Sequence, residues 1–130
     1  MRLFTRTALA GIVAAMALMP VSASAEGDAK AGKKVFNKCK ACHSIANDKH
    51  RVGPSLKGII GRQAGTADGY TRYSKGMIAY GEGGIIWSEE TLVEYLADPR
   101  GLVKGTRMAF AGLKKEKDRK NVAAYIISEQ

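Results

Sequence analysis

The feature that most constrains this chain is a five-residue segment, Cys-Lys-Ala-Cys-His, at residues 39–43. It contains both of the cysteines in the sequence. Residues three apart on a helical turn lie on the same face, so the thiols of Cys39 and Cys42 can both reach the vinyl groups along one edge of a porphyrin. His43 then extends over the ring as a candidate axial ligand of the iron. The spacing therefore predicts covalent attachment of one c-type haem.

Two other chemistries use cysteines at this spacing. A redox disulfide between Cys39 and Cys42 is typical of a strand–helix–strand context, and the sequence shows no such pattern. A zinc site would need His50 as a further ligand, and the adjacent residues Cys42 and His43 are poorly placed to bind one ion tetrahedrally. Haem attachment is the preferred interpretation, and an exported, disulfide-bonded binding module without haem is an alternative.

The first 25 residues have the pattern of a secretory signal peptide. Arg2 and Arg6 flank an apolar, alanine-rich run over residues 8–19, and three small residues end the segment at Ala25. We expect cleavage after Ala25, which leaves residues 26–130 as one domain in the periplasm. The apolar run is shorter than the roughly 20 residues that span a bilayer, so we do not interpret it as a membrane anchor.

Methionine is the second axial ligand to look for in a haem that transfers electrons. Of the five methionines, three lie in the predicted signal peptide, which leaves Met77 and Met108. Met77 lies in a short stretch that Ser74 could cap as a helical turn, and we interpret Met77 as a core residue. Met108 lies between two predicted helices, where a loop could cover the far face of the ring. Met108 is therefore the preferred candidate.

The hydrophobic pattern predicts an all-α domain with three main helices. The first begins at Asp28 as its cap and runs to about residue 38, the second begins after Ser88 and stops by Asp98 because Pro99 follows, and the third covers about residues 115–128. Residues 45–87 are rich in glycine and predict a long loop that the haem would organise. The predicted buried positions of the helices are Val35, Phe36, Cys39, Leu92, Val93, Tyr95, Leu96, Val122, Ala123, Ile126 and Ile127.

An ordered set of motifs across residues 26–130 resembles the class I cytochromes c, and within them the bacterial cytochrome c2 group. Besides residues 39–43, the matching segments are Gly-Asp-Ala at 27–29, Val-Gly-Pro-Ser-Leu-Lys-Gly at 52–58, Gly-Arg at 61–62, Trp87, Glu-Glu-Thr-Leu at 89–92, Tyr-Leu at 95–96 and Gly-Thr-Arg-Met-Ala-Phe-Ala-Gly at 105–112. The resemblance implies the cytochrome c fold, with long loops wrapped around one covalent haem c, and electron transfer rather than enzymatic turnover.

The resemblance also implies roles for individual residues around the iron. Met108 would be the distal ligand, and the Pro54 carbonyl would accept a hydrogen bond from His43, which orients the ring. Tyr95 and Thr106 would line the distal side.

Three further residues would lie near the haem propionates. Trp87 would donate a hydrogen bond to one propionate, Arg62 would lie near both, and Tyr73 is a candidate for a second contact. His50 would tie loops together. Lys104 occupies a position where many relatives have proline, so the Met108 loop loses a fixed backbone angle, and we hypothesise that Lys104 or a neighbour displaces Met108 from iron at alkaline pH.

The chain is basic, with a formal net charge of +9, and its charges indicate the kind of partner. Export and the lack of interleaved aromatic residues argue against nucleic acid, and we expect acidic redox proteins that dock briefly. The resemblance implies a soluble, monomeric carrier between a cytochrome bc complex and a photosynthetic reaction centre or terminal oxidase. A haem enzyme or gas-binding protein with a labile sixth ligand is the alternative. The basic residues expected around the exposed haem edge are Lys30, Lys33, Lys34, Lys38, Lys40, Lys104, Arg107, Lys114 and Lys115.

Overall fold

Polar side chains at the helix starts determine where most of the helices begin. The computed structural model describes residues 27–130. Asp28 caps the first helix by accepting hydrogen bonds from the amides of Lys30 and Ala31 at 2.8 and 3.1 Å, and a 3₁₀ turn at Phe36–Lys38 follows that helix. In chain order the α-helices are α1 (Ala29–Val35), α2 (Lys75–Glu82), α3 (Glu89–Tyr95), α4 (Pro99–Leu102) and α5 (Glu116–Ser128).

The contact between α1 and α5 holds the two ends of the domain together. A β-carbon at Gly32 would lie 1.8 Å from the carbonyl oxygen of Asn121, so only glycine permits this close approach. The Asn121 side chain accepts a hydrogen bond of 2.8 Å from the Asp28 amide. One turn further on, the rings of Phe36 and Tyr125 pack with centroids 5.2 Å apart. The site motif at residues 39–43 therefore starts from a rigid helix pair.

The hydrophobic core lies between α1, α3 and α5 and continues into the loops. Its most completely buried helical side chains are Val122 and Ala123 of α5. Most of the predicted inward positions are confirmed, but Ile127 is 38% exposed whereas Ile126 is 3% exposed. Successive helical residues point in directions about 100° apart, so Ile127 falls outside the buried face of α5. The buried apolar residues are Phe36, Ile45, Ile59, Ala64, Ala67, Trp87, Leu92, Tyr95, Leu96, Val103, Leu113, Val122, Ala123 and Ile126.

The prediction of a continuous loop from residue 45 to residue 87 is wrong at α2. The Ser74 side chain caps this helix by accepting a hydrogen bond of 3.1 Å from the Met77 amide. Two glycines that suggest a loop in the sequence have a packing role instead. A β-carbon at Gly76 would lie 1.9 Å from the Lys104 carbonyl oxygen, and one at Gly81 would lie 1.8 Å from that of Ala64. The α2 backbone therefore packs directly against neighbouring backbone.

The predicted helix ends differ from the observed ones by a few residues. The second helix ends at Tyr95 rather than at Asp98, because Asp98 caps the short α4, which begins with Pro99. Residues 36–38 continue α1 as a 3₁₀ turn rather than as α-helix.

The all-α architecture is confirmed. Between residues 27 and 130 the structure has no strand, and an isolated bridge joins Gln63 and Ile86. No helix in this range is long and apolar enough to cross a bilayer. The predicted signal peptide at residues 1–25 lies outside the described residues.

Candidate haem site

The two cysteines lie on one helical turn, as their spacing predicts. The amides of Cys42 and His43 both donate to the Cys39 carbonyl, at 3.1 and 3.0 Å. Both thiols are free and half-buried. Burial raises the pKa of Cys39 to about 11, with a further contribution from Cys42. Cys39 is therefore a protonated thiol at neutral pH, and neither cysteine forms a disulfide.

His43 is oriented by the backbone of a separate loop. Its Nδ1 lies 2.7 Å from the Pro54 carbonyl oxygen, and because a carbonyl can only accept, Nδ1 carries the proton. Nε2 then has a free lone pair. Burial lowers the pKa of His43, an effect that the bond to Pro54 partly opposes. A neutral imidazole with one nitrogen fixed and the other free is the form that ligates a metal.

The loop that carries Pro54 wraps closely around the imidazole. The Gly53 amide donates to the Cys42 carbonyl at 2.8 Å, which draws residue 53 onto the motif. A β-carbon at Gly53 would lie 2.4 Å from Cε1 of His43. The chain thus forms a cradle for this ring that only glycine allows.

His50 ties two loops together, as predicted. Its Nε2 lies 2.7 Å from the Asp68 carbonyl oxygen, and its Nδ1 accepts a hydrogen bond of 3.0 Å from the Ser55 amide. Both ring nitrogens of His50 make hydrogen bonds, so neither is free to bind zinc. A zinc site at the cysteines would therefore lack its required further ligand. Across residues 27–130, no three His, Cys, Asp or Glu side chains are grouped to hold a metal ion.

Arg62, Tyr73 and Trp87 come together on another side of the site. The Arg62 guanidinium donates to the Ser55 carbonyl at 3.0 Å, whereas its buried Nε has no hydrogen-bond partner among the described residues. Burial lowers the pKa of Arg62 and raises that of Tyr73. The Trp87 amide donates to the Arg62 carbonyl at 2.9 Å. An unsatisfied, half-buried guanidinium N–H suits an anionic group such as a propionate.

Tyr95 and Thr106 both contact Met108. The Thr106 hydroxyl accepts a hydrogen bond of 3.2 Å from the Met108 amide, which fixes the backbone of the loop. The Tyr95 hydroxyl points at Sδ of Met108 from 4.0 Å. Burial raises the pKa of Tyr95 to about 12, and Tyr80 adds to the shift. The hydroxyl therefore stays protonated as a donor to the sulfur across the physiological range.

Tyr80 is a site residue that the sequence did not identify. Its ring lies 6.0 Å from that of Tyr95 and 6.2 Å from that of Trp87, between centroids. The sequence contains one indication of this role, since Tyr80 follows the Ser74 cap by six residues. The glycines of this stretch, however, suggested a loop rather than the helix α2. Met77, on the same helix, is half-buried and packs against the core, as predicted.

These residues fit a covalently bound haem. The free thiols lie on one turn, and the imidazole is fixed at one nitrogen and free at the other. The buried Nε–H of Arg62, which has no hydrogen-bond partner among the described residues, could donate to an anionic substituent. The thioether sulfur of Met108, which lies in a separate loop, faces the hydroxyl of Tyr95.

Comparison with known proteins gives the same result. The family model for cytochrome c matches residues 29–129. The chain is 48% identical over 101 residues to cytochrome c-550 of Nitrobacter winogradskyi, which covers 77% of this chain and 89% of that protein. It is also 48% identical over 97 residues to cytochrome c2 of Afifella marina, which covers 74% and 77% of the two chains.

A solved structure extends the similarity to the fold. Ferricytochrome c2 from Rhodopseudomonas palustris superposes with a TM-score of 0.72 at 41% identity, over 79% of this chain and 99% of that one. The expected resemblance to the cytochrome c2 group is confirmed, and so is a covalent haem c as the cofactor. The chain belongs to the cytochrome c family, and it is an electron-carrying cytochrome rather than an enzyme.

Proposed function

We propose that residues 26–130 are an exported, soluble one-electron carrier. In this proposal the haem is attached through Cys39 and Cys42, and its iron is ligated by His43 and Met108. The bound haem supplies a reversible ferric/ferrous couple. The observation that carries the proposal is the fixed orientation of His43, whose Nδ1 is held by Pro54 at 2.7 Å.

The protein's contribution is to hold both candidate ligands in place. The Pro54 carbonyl keeps the imidazole in one tautomer and raises its basicity. On the other side, Thr106 fixes the backbone of Met108 and Tyr95 directs its hydroxyl at the sulfur. Ligands that cannot rearrange suit a carrier, because both oxidation states then keep the same coordination.

Arg62, Tyr73 and Trp87 are proposed to hold the propionates. The free Nε–H of Arg62 would donate to one carboxylate, and the remaining Arg62 donors keep the 55–57 loop in place. A charge-assisted hydrogen bond of this kind is about twice as strong as a neutral one. The three residues would therefore neutralise and orient the anionic edge of the cofactor.

The exposed lysines and arginines indicate acidic partners. In the described part of the chain, one ion pair is formed, between Lys120 and Glu116 at 2.9 Å. The basic residues near residues 38–43 and 104–115 thus remain available to steer an acidic surface. We propose transient docking of a monomer to membrane complexes, with a cytochrome bc complex as donor and a photosynthetic reaction centre or terminal oxidase as acceptor. Raising the ionic strength should slow electron transfer to such a partner, and a rate independent of salt would contradict this.

The visible spectrum of the exported holoprotein tests the proposed ligation. The wild type should show sharp reduced bands and, when oxidised, the weak long-wavelength iron–sulfur band. Met108→Ala should lose that band, whereas Met77→Ala, a matched change in the half-buried methionine of α2, should keep it. Loss of the band in the Met77 variant instead would overturn the assignment.

The predicted signal peptide is tested by the mass of the protein recovered from the periplasm. We expect a chain that begins at Glu26 and carries one haem. A protein that keeps its first 25 residues would contradict the proposed domain boundary.

A further inference from the structure

Three exposed arginines, from three different loops, form a continuous chain of hydrogen bonds. The Arg72 guanidinium donates to the Arg51 carbonyl. The Arg107 guanidinium in turn donates to the Arg72 carbonyl, at 3.3 Å. These contacts link positions 21 and 35 residues apart in the sequence. We call Arg51, Arg72 and Arg107 with these two contacts the arginine strap.

The two ends of the arginine strap lie beside the two candidate iron ligands. At one end, the Arg51 amide donates to the Gly53 carbonyl at 2.9 Å, and a β-carbon at Gly53 would lie 2.4 Å from the His43 ring. At the other end, Arg107 immediately precedes Met108. The strap therefore connects the loop that cradles His43 with the loop that carries Met108.

The middle of the strap is held by an aromatic residue. The Arg72 guanidinium carbon lies 5.4 Å from the centroid of the Tyr70 ring, within the range of a cation–π contact. The Tyr70 hydroxyl donates to the Val52 carbonyl at 2.6 Å, and its ring packs edge-on against Tyr73 with centroids 4.7 Å apart. Arg72 is thus directed toward the 51–53 segment by a ring that is itself bound to that segment.

We propose that Arg72 is a positioning residue that keeps the Met108 loop closed. The proposal rests on the proposed ligation of iron by Met108. When Met108 leaves the iron, its loop must move away from the site, and the contact of Arg107 with Arg72 has to break. The Arg72 side chain acts indirectly: by donating to the Arg51 carbonyl it anchors the residue whose backbone carbonyl accepts from Arg107. The strap therefore shifts the equilibrium toward the closed loop without touching the iron itself.

The effect of the strap is modest because its members are exposed to water. A single exposed hydrogen bond changes an equilibrium by about two- to five-fold. That range is within reach of a competition experiment. Imidazole binds the sixth position of the ferric iron only when Met108 is displaced, so its apparent affinity reports the population of the open loop.

The experiment titrates the oxidised holoprotein with imidazole at pH 7 and follows the iron–sulfur band. Arg72→Gln should raise the apparent imidazole affinity by about two- to five-fold, and Arg107→Gln should do the same. Because the two contacts are in series, the double variant should show little more than either single change. Lys117→Gln removes one positive charge from an exposed position on α5 and should leave the affinity unchanged.

Arg72→Lys keeps the positive charge and a hydrogen-bond donor at position 72. Because the lysine side chain is shorter and lacks the planar guanidinium that lies over Tyr70, the imidazole affinity of this variant should lie between those of the wild type and Arg72→Gln. The urea midpoint for global unfolding should change little in any of these variants, because the strap acts on one loop.

The outcomes distinguish the strap from the ligation on which it rests. A wild type without an iron–sulfur band would overturn the Met108 ligation and the strap together. A wild-type band with imidazole affinities that are equal in the wild type and Arg72→Gln would overturn the strap alone. An Arg72→Lys protein that binds imidazole more tightly than Arg72→Gln would also overturn it, because lysine retains both the charge and a donor.

Discussion

Gly53 lies against the face of the His43 imidazole so closely that a β-carbon at position 53 would be 2.4 Å from Cε1 and 2.7 Å from Nδ1. The same loop supplies the Pro54 carbonyl that fixes this ring. The close approach of Gly53 and the hydrogen bond to Pro54 together determine the orientation of the His43 imidazole.

Replacing Gly53 with alanine should displace the imidazole or the loop. We expect Gly53→Ala to destabilise the holoprotein by about 1–3 kcal/mol, the cost of overpacking a close contact, and to perturb the iron spectrum. Urea unfolding and visible spectra measure the two effects. Gly83→Ala is the control, since Gly83 ends α2 with a φ of −68° and its nearest atom to a β-carbon is 3.3 Å away. Equal stability of the two variants would contradict the proposed steric constraint.

Tyr95 should make stability depend on pH in the alkaline range. Its pKa is about 12 in the folded protein against an ordinary value of 10.0, so above pH 10 the unfolded chain loses this proton before the folded one does. Stability from this residue is fully present below pH 10 and is lost as the pH rises toward 12. The difference of about two units between the folded and unfolded pKa of Tyr95 corresponds to about 2–3 kcal/mol of unfolding free energy.

Tyr95→Phe isolates this contribution, because phenylalanine keeps the ring and removes the ionisable hydroxyl. The wild type should lose more stability than the variant between pH 10 and 12, measured by urea unfolding at a series of pH values. Parallel stability curves for the two proteins would show that the phenol does not contribute.

Lys104 occupies the second position of a turn that suits proline. The Thr106 amide donates to the Val103 carbonyl at 3.2 Å, and Gly105 has a φ of +70°, which is the pattern of a type II turn with Lys104 at position i+1. Val103 is extended, with φ −116° and ψ 95°, as a residue before proline must be. Lys104→Pro should therefore stabilise the protein by about 0.4–1 kcal/mol through the unfolded state, measured by urea unfolding with Lys104→Ala as the control.

The alkaline hypothesis for Lys104 is tested with the same alanine variant. Lys104 is exposed, four residues before Met108, and a deprotonated lysine amine can ligate iron. If Lys104 is the displacing group, Lys104→Ala should raise the pH at which the iron–sulfur band disappears. An unmoved midpoint would remove Lys104 from this transition and leave a neighbouring lysine as the candidate.

Local sequence patterns predicted the parts of this protein that depend on nearby residues. The turn at Cys39–His43 is made by its own backbone, and Asp28 and Ser88 cap helices that begin immediately after them. The roles expected of Pro54 and His50 came from the family resemblance, and the structure places both hydrogen bonds where they were expected.

Contacts between distant segments were not predictable in this way. The helix α2 contains Gly76 and Gly81, which weaken helix propensity, and it is stabilised by backbone approaches to Lys104 and Ala64 that no local pattern reveals. The strap through Arg72 likewise joins loops that only the folded chain brings together.

A potentiometric titration of the holoprotein tests whether it is a six-coordinate one-electron carrier. We expect one reversible transition with the slope of a one-electron couple, identical in the oxidative and reductive directions. The iron–sulfur band should return in full after each cycle, and the reduced protein should resist carbon monoxide. An irreversible titration, or ready binding of carbon monoxide by the reduced protein, would contradict a six-coordinate carrier held by His43 and Met108.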